Sequence, residues 1–381
     1  MNLEFGIYFG IVLRLGDAKL NVNKNSCFLC AIMFDFRYFC NMDKLIHKVF
    51  EIIKDYRNDE GYQISESDIK QWAEQFDDEA EFMLQELSYL LPKVYYSKQR
   101  VFAEIRNMLN ELFKFFKYDS VDSFFSDVDF LCLQPEGKSQ HILVDMIDQI
   151  AYEKTGQHLS FYKSCSKIIF VYVDDVLATG GTIGKDIITW LRSDNNLQDL
   201  LNKKIKLVIS LLCVHTWGRS FQDYRIRSTF PDLKNDTIIW GWSYEIQNHL
   251  KWDNQSLNIA IPIKDQPEDI KNYLSTLSAT KYEDYAYREV NTPKRETFFS
   301  SPENRIRYEN NLLQKGLEII RRINEPGSNL RPLGMINPNY KTFGLGTHFF
   351  TWRNVPNNSP LVFWWDIPEH GWKPLFKPKR S

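Results

Sequence analysis

A chain of 381 residues, 43% of them hydrophobic, is long enough to form two domains with a substantial buried core. Its 47 lysines and arginines nearly balance 49 aspartates and glutamates, for a formal net charge of −2. This balance excludes a protein that coats polyanions or membrane surfaces through its overall charge, although a local basic patch is compatible with it. No apolar run approaches the roughly 18 residues of a membrane-spanning helix, so we predict a cytoplasmic protein without membrane contacts.

The first 41 residues differ from the rest of the chain, and we predict a poorly defined leader over residues 1–41. They have no clear hydrophobic period, and Met42 stands directly before an amphipathic run. One interpretation makes Met42 the natural start of the protein, and the alternative makes the leader an extra pair of strands. Cys27, Cys30 and Cys40 offer three soft ligands, but no fourth Cys or His stands at a zinc-like spacing.

Residues 42–125 are predicted to form a helical N-terminal region. Apolar positions recur every three or four residues in "LIHKVFEII" and in "VFAEIRNMLNELFKFF". Ser65 and Asp68 have the spacing of a capping box for a helix between these two runs. Pro92 is expected to end the helix that follows. The region suits packing or partner binding better than catalysis, and its candidate partner is a protein or a ribonucleoprotein.

From about Ser126 the pattern changes to alternating strands and helices, which predicts an α/β domain over residues 126–290. The buried strands are "DVDFLCLQ", "KIIFVYV" and "KKIKLVISLLCV", and the helices between them are "HILVDMIDQIAYEKTG" and "IGKDIITWLRS". Apolar strands that alternate with helices imply a parallel sheet flanked by helices. Ligands in such folds bind at the carboxyl ends of the strands. The predicted site edge therefore consists of three loops: Pro135–Gln140, Asp174–Thr182 and His215–Arg219.

Beyond Thr216 the sequence predicts short strands at "DTIIWGWSY" and "LNIAIPI". Residues 291–381 are then predicted to form a mixed α+β C-terminal region, with one strong helix followed by an aromatic-rich cap. Ser301 fits as the cap of that helix, with Pro302 in its first position. The aromatic residues of the tail are more typical of a core than of a site.

Two adjacent acids, Asp174 and Asp175, follow the predicted strand Ile168–Val173. Neighbouring carboxylates repel each other unless a cation or a set of hydroxyl groups satisfies them. A sugar diol fits this arrangement, and so does a hydrated Mg²⁺ ion held directly or through water. We therefore predict that Asp174 and Asp175 are catalytic and metal-binding residues.

The next five residues, "ATGGT", form a small-residue loop that opens onto a helix. Ala178, Thr179, Gly180, Gly181 and Thr182 supply backbone N–H groups and two hydroxyls, and the glycines allow the backbone to approach a ligand closely. The unpaired N–H groups and the dipole of the helix favour a phosphate at this place. A diol next to a phosphate describes a ribose 5-phosphate. The alternative is a tight turn in which the glycines only permit the bend.

The stretch "FVYVDDVLATGGT" from Phe170 to Thr182 resembles the phosphoribosyl-diphosphate-binding motif of type I phosphoribosyltransferases. The resemblance implies their parallel α/β fold, with the acidic pair on the ribose hydroxyls and the loop around the 5-phosphate. Ala178 is similar to the adenine and orotate branches, whereas hypoxanthine enzymes often carry an Asp, a candidate base, at that position. Type I relatives often dimerise, so a homodimer is a candidate state.

A second family element is a loop that grips the pyrophosphate after an earlier strand, often near a glycine. "LQPEGKSQH" stands in that place, which implies Gly137, Lys138 and Ser139 as pyrophosphate-binding residues. Lys138 would also be catalytic, because its charge offsets that of the departing pyrophosphate. "GKS" is similar to part of a Walker A loop, but the upstream glycine of that motif is missing. The alternative for Lys138 is a solvated loop residue.

Type I enzymes usually carry a mobile hood over the site, and this sequence leaves little room for one. The candidate lid is residues 153–166, with Lys154, His158 and Lys163 as charge donors. A lid excludes water from the reacting centre. Without it, transfer to water, a different acceptor or no catalysis at all become the alternatives.

Three further candidates follow the third strand at the site edge. Arg219 could hold a phosphate and Trp217 could stack on a base, while His215 stands beside them. Each of these residues fits a structural role at least as well.

Two functions follow from these patterns. The first is a glycosyltransferase of the phosphoribosyltransferase type, which binds phosphoribosyl diphosphate or a related nucleotide with Mg²⁺ and transfers or hydrolyses at ribose C1. The alternative is a nucleotide-sensing regulator or an effector with a modified or inactive transferase site. The stretch "TWRNVPNNSPLVFWW" is similar to phosphoribosyltransferase-like proteins of bacterial antiviral cassettes, including retron-type systems, which implies an effector or toxin subunit in antiviral defence.

Overall fold

A computed structural model describes residues 41–234, 237–250 and 256–379 of the chain. The leader up to residue 40, with Cys27, Cys30 and Cys40, lies outside the described residues. Within the described ranges, no helix is both long enough and apolar enough to cross a membrane.

The described residues form six strands and a larger number of helices. The strands are β1 (Tyr95–Tyr96), β2 (Val128–Leu131), β3 (Ile169–Leu177), β4 (Lys206–His215), β5 (Ile238–Ile246) and β6 (Phe350–Thr351). The helices are α1 (residues 41–53), α2 (Glu66–Glu74), α3 (Ala80–Val94), α4 (Lys98–Phe115), α5 (Val121–Asp127), α6 (Ser139–Thr155), α7 (Gly181–Arg192), α8 (Asn196–Leu201), α9 (Thr216–Thr229), α10 (Glu268–Thr276), α11 (Pro302–Arg321) and α12 (Leu361–Trp364).

The main sheet has four parallel strands in the order β2-β3-β4-β5. Each strand is followed by a helix or a long connection before the next, so every crossover returns to the same end of the sheet. The predicted class, a parallel α/β sheet flanked by helices, is confirmed. Since β2, β3 and β4 all run in one direction, the three loops predicted to share an edge do share it.

Three local predictions need correction. The predicted strand Ile168–Val173 is longer, because pairing with β4 continues as far as Leu177, and both acids lie inside β3. The stretch "LNIAIPI" forms no strand; it is an apolar core segment in which Ile263 makes one isolated bridge to Arg288. Pro92 does not end its helix at once, since α3 continues to Val94.

The two faces of the sheet pack against different helices. On one face, β-strand residues such as Val171 and Val208 pack with α4, α5 and α6. On the other face, Tyr172 and Ile209 pack with α7 and α9. Successive residues of β3 thus enter opposite cores, as expected for a strand that is buried on both sides.

A further core joins the N-terminal helices to the C-terminal region. α1, α2 and α3 pack there with α11 and with apolar residues of the tail, among them Phe350 and Phe363. Trp72 in α2 donates its indole N–H to the carbonyl oxygen of Val362 at 2.9 Å. The short strands β1 and β6 pair in parallel beside this core. The predicted helical region and the aromatic tail therefore fold onto each other.

Buried ion pairs connect α11 to the segment that follows β5. Glu309 is fully buried and accepts hydrogen bonds from Arg288 at 2.7 Å, from Arg305 at 2.9 Å and from the backbone of Ile261 at 3.1 Å. Arg305 also pairs with Glu296 at 2.9 Å. Each charge in this group has an opposite charge in contact, which is the condition under which buried charges are tolerated.

We expect Glu309→Gln to lower the free energy of unfolding by about 3–5 kcal/mol. The substitution removes the negative charge that the buried guanidinium groups of Arg288 and Arg305 both contact. Urea denaturation measures the change. Glu79→Gln is the matched control, since it removes the partner of an exposed arginine of the same helix, Arg307, and should cost at most about 1 kcal/mol. Equal losses in the two variants would contradict the importance of the buried group.

Candidate functional site

Three helices begin at the shared edge of the sheet. α6, α7 and α9 follow β2, β3 and β4, and none of them has an acidic residue in its first turn or a cap from the side chain of its own N-cap residue. In α9 the Asn248 side chain accepts from the backbone N–H of Trp217 at 3.0 Å instead. Serines, in contrast, cap α2, α4, α5 and α11. The unpaired N–H groups of α6 and α7 and the dipoles of all three helices give this edge a positive potential that favours an anion.

Asp174 lies buried at the centre of this edge and is 6% exposed. Its carboxylate accepts hydrogen bonds from the Gln134 side chain at 2.7 Å, from the Ser139 hydroxyl at 3.0 Å and from the backbone of Asp175 at 2.9 Å. Burial, with a further contribution from the charge of Asp175, raises the pKa of Asp174 to about 7. The acid therefore changes its charge near neutral pH, and its oxygens hold the loop after β2 in place.

Asp175 is the more accessible member of the pair. Its Oδ1 accepts a hydrogen bond from the backbone of Val176 at 2.8 Å. No described residue donates to its other carboxylate oxygen, and the side chain is only partly buried. Asp175 is therefore the acid that can contact a ligand without giving up an existing contact.

The small-residue loop between β3 and α7 is held from behind by Gln222 of α9. Gln222 is 1% exposed and donates its side-chain amide to the carbonyl oxygen of Thr179 at 2.8 Å. Gly180 has a φ of +72°, and a Cβ there would lie 2.3 Å from the Gln222 side chain. A Cβ on Gly184 would lie 2.0 Å from Oε1 of Gln222. Two glycines are thus required by the close packing of α9, while a Cβ on Gly181 meets nothing within 4 Å.

A cavity of about 260 Å³ opens on the α9 side of this loop. Thr179 and Gly181 form one wall, and Trp217 and Tyr340 contribute stacked rings with centroids 6.2 Å apart. Arg225 borders the same cavity, with its guanidinium 3.3 Å from the position that a Cβ on Gly184 would occupy. An aromatic wall, the small-residue loop and a cation meet here, which suits a ligand that carries a ring and an anionic group. We call this space the α9 cavity.

The loop predicted to bind pyrophosphate lies on the other side of the acid pair. Gly137 has a φ of +83°, a conformation that favours glycine, and its carbonyl oxygen accepts a hydrogen bond from Arg353 at 2.6 Å. Lys138 is exposed and stands directly before the first residue of α6. Ser139 binds Asp174, as described above. The structure thus brings the loop of Gly137 and Lys138 close to the acids. The C-terminal region contacts this loop through Arg353.

The comparison with known families agrees with this geometry. A family model described as PRTase-CE matches residues 69–377, well over half of the chain. The chain belongs to the PRTase-CE family. No curated protein and no solved structure shows a significant match. Membership of the PRTase-CE family confirms the resemblance to phosphoribosyltransferases and shows that the protein contains a phosphoribosyltransferase-like domain.

The lid prediction was wrong for this PRTase-CE protein. Residues 153–166 lie at the amino ends of the strands, on the far side of the sheet from the acids. Tyr162 in this segment donates its hydroxyl to Asp122 at 2.7 Å, just before β2 begins, and His158 binds Asp148. A connection from a helix back to a parallel strand must run at the amino edge, so Lys154, His158 and Lys163 cannot reach the site.

The three candidates after β4 have different surroundings. His215 is fully buried, and burial lowers its pKa to about 3, so it stays neutral inside the protein. Trp217 lies in the wall of the α9 cavity. Arg219 places its guanidinium over the ring of Trp242, 5.0 Å from the ring centroid. Of the two predicted base or phosphate contacts, the structure therefore brings Trp217 to the cavity, while Arg219 stacks on β5.

The acid pair fits Mg²⁺ only with help from a ligand. Asp174 already uses its oxygens on four donors, the fourth being the Tyr172 hydroxyl at 3.4 Å, and Asp175 offers one free carboxylate oxygen. Among the described residues, no group of three His, Cys, Asp or Glu side chains is placed to hold a metal ion. Since Mg²⁺ usually keeps waters and binds through one or two carboxylates plus substrate phosphates, Asp175 suits it as such a partial ligand.

Sequence reasoning missed several residues that shape the site. Gln134 and Gln140 secure the loop after β2: Gln140 accepts from the backbone of Leu133 and Gln134 and donates to the carbonyl of Val173. Gln222, Arg225 and Arg353 come from distant parts of the chain. One signal was present, because the glycine at position 184, one turn into α7, indicates that another element packs closely there.

We expect Asp174→Asn to change the pH dependence of stability. As the pH rises from about 4 to about 7, the unfolded carboxyl of the wild type ionises while the folded one keeps its proton, so the free energy of unfolding falls. The variant lacks this titration, and its stability relative to wild type should increase over that range. Urea denaturation at several pH values measures the difference. An exposed control, Asp194→Asn, should follow the wild type, and a parallel pH profile in Asp174→Asn would contradict the assignment.

We expect Gly184→Ala to lower the free energy of unfolding by about 1–3 kcal/mol and to displace the loop, because the new Cβ overlaps with Gln222. Gly181→Ala is the matched control and should stay within about 0.5 kcal/mol of the wild type. Adding Gln222→Ala to Gly184→Ala should recover part of the loss, since it removes the overlapping side chain. Strictly additive losses in the double variant would show that the two residues do not interact.

Proposed function

We propose that the protein binds phosphoribosyl diphosphate together with Mg²⁺ and transfers its ribosyl phosphate to an acceptor by substitution at C1. The observation that carries the proposal is the position of the acid pair at the carboxyl end of β3. The pair lies between the small-residue loop Ala178–Thr182, which we call the phosphate-type loop, and the loop of Gly137. Membership of the PRTase-CE family supports the same class of substrate.

Each part of the ligand has a chemically suitable place at the edge. The 5-phosphate fits the loop Ala178–Thr182, where the N-terminus of α7 offers unpaired N–H groups. The ribose hydroxyls fit Asp175, with Asp174 behind it. The pyrophosphate fits the loop of Gly137 and Lys138 at the N-terminus of α6, where the exposed Lys138 supplies a positive charge. This order places the α9 cavity on the remaining side, next to the ribose.

The proposed reaction exchanges one bond at C1 for another. The C1–O bond to the pyrophosphate breaks, and the pyrophosphate leaves with the electron pair. A nitrogen or oxygen atom of the acceptor forms the new bond to C1 and releases its proton to solvent. With water as the acceptor, the same step is hydrolysis. Positive charge from Lys138 and the N-terminus of α6 stabilises the departing pyrophosphate, and Mg²⁺, when bound, offsets further negative charge on it.

A second function is favoured by the position of residues 153–166. Since this segment lies at the opposite end of the sheet, it cannot close over the acids and exclude water from them. We keep as the alternative a nucleotide-sensing regulator or an effector subunit of an antiviral, retron-type system, which binds the ligand without turning it over. The N-terminal helices would then hold a protein or ribonucleoprotein partner.

Calorimetric titration of phosphoribosyl diphosphate in the presence of Mg²⁺, with pyrophosphate measured in the same sample, tests the proposal. We expect the wild type to bind and Asp175→Asn to bind about ten- to 100-fold more weakly, because it loses a charged hydrogen bond to the ribose. Asp175 is preferred to Asp174 for this test, since the latter also supports the neighbouring loop. Asp119→Asn, an exposed acid before β2, is the control and should bind like the wild type.

The outcomes separate the two functions. Binding with pyrophosphate release, or with release once an acceptor is added, supports the enzyme. Binding without release under any of these conditions favours the regulator. Absence of binding by the wild type, or unchanged affinity in Asp175→Asn, contradicts the site assignment.

A further inference from the structure

The outer face of α9 exposes two aromatic rings that the core does not use. Phe221 is 50% exposed and Tyr224 is 69% exposed, and because they are three residues apart they lie on the same face of the helix. The opposite face, with Gly218, Gln222 and Ile226, is buried against the loop and the sheet. Single exposed rings are common on protein surfaces, so their meaning depends on what surrounds them.

The surroundings of these rings are cationic. Arg225 stands next to Tyr224, is exposed, and makes no hydrogen bond or ion pair with its side chain within the described part of the chain. Asp223 does not neutralise it, because that carboxylate already binds Arg227 at 2.8 and 2.9 Å and the indole of Trp240 at 3.2 Å. The face of α9 that remains for a partner therefore combines aromatic rings with an unpaired positive charge.

This face continues into the α9 cavity. Phe221 and Arg225 border the cavity together with Trp217 and Tyr340. Inside, Trp217 and Tyr340 offer an aromatic wall to a planar ring, and Asn337 also lines the cavity. Outside, along α9, Phe221 and Tyr224 offer further ring surfaces in the same direction. A path of aromatic surfaces with a cation beside it therefore leads from the phosphate-type loop to open solvent.

Such a path fits a strand of stacked bases better than a single free base. Proteins that bind single-stranded nucleic acid combine aromatic rings, on which successive bases stack, with positive groups that contact the backbone. A free base would fill the cavity beside Arg225 and would leave the exposed ring of Tyr224 unused. A protein partner could bury the two exposed rings, but it would have no need for the α9 cavity beside them.

We propose that the acceptor is single-stranded nucleic acid. One base enters the α9 cavity, neighbouring bases stack on Phe221 and Tyr224, and Arg225 binds a phosphate of the backbone. A nitrogen of the base in the cavity forms the bond to C1, and its proton passes to solvent as the pyrophosphate leaves. This inference rests on the proposed transferase function, because it names the acceptor of that same site.

Fluorescence anisotropy with labelled single strands of about 12 nucleotides, DNA and RNA of mixed sequence, tests the proposal on the full chain. We expect the Phe221→Ala/Tyr224→Ala variant to bind about tenfold more weakly or worse, because each ring supports a stacked base. Arg225→Gln should reduce the dependence of affinity on salt by about one phosphate contact. Phe161→Ala is the matched control: its ring is 61% exposed at the opposite end of the sheet, and its loss should not matter.

Titration of phosphoribosyl diphosphate into the same proteins keeps this test separate from the proposed function. If phosphoribosyl diphosphate binds while the single strands do not, only the inference falls. Tight binding of a mononucleotide or free base that ignores Phe221 and Tyr224 would also overturn it, as would equal affinity for a duplex. If phosphoribosyl diphosphate fails to bind, the proposed function is contradicted. Binding of single strands that depends on Phe221 and Tyr224 would then support only a nucleic-acid-binding surface on α9.

Discussion

The buried carboxylate of Asp174 is the constraint around which the site is arranged. Removing a carboxylate from water is costly unless donors replace the lost hydration, and here they come from two different parts of the chain. Gln134 and Ser139 belong to the loop and helix after β2, while the backbone of Asp175 belongs to β3 itself. The acid thereby fixes the loop of Gly137 relative to the phosphate-type loop. Two ligand-binding segments are thus held at a set spacing before any ligand arrives.

A second arrangement serves the phosphate-type loop. α9 approaches it so closely that a Cβ at position 180 or 184 would overlap with Gln222, which fills the space that those glycines leave. Gly218 brings the start of α9 against the carbonyl oxygen of Ala178 in the same way. A loop held like this loses little conformational freedom when a phosphate binds, which favours affinity. The same helix carries Trp217 and Arg225 into the cavity, so the positions of loop and cavity are set by one element.

The features that could be predicted from the sequence are those that depend on residues close together in the chain. Alternating apolar strands and amphipathic helices predicted the parallel sheet, and the acid pair with its small-residue loop predicted the central part of the site. The end of β3 was misjudged because Asp174 and Asp175 do not look like strand residues, yet pairing with β4 extends through them. "LNIAIPI" looks like a strand, but the described part of the chain places no strand beside it to pair with. The topology alone would have ruled out the predicted lid, because the connection from α6 to the parallel strand β3 must lie at the amino edge of the sheet.

Residues from distant parts of the chain could not be predicted in this way. Arg353, for example, is more than 200 positions away from Gly137, and nothing near it in the sequence indicates a site. Its location follows from packing: β6 pairs with β1 only two residues earlier, and β6 in turn packs in the core that joins α1, α2 and α3 to the tail. The backbone at Arg353 is therefore tied to the N-terminal helices and cannot move without them. The loop of Gly137 is thus held on one side by the sheet, through Asp174, and on the other by the joined N- and C-terminal regions, through Arg353.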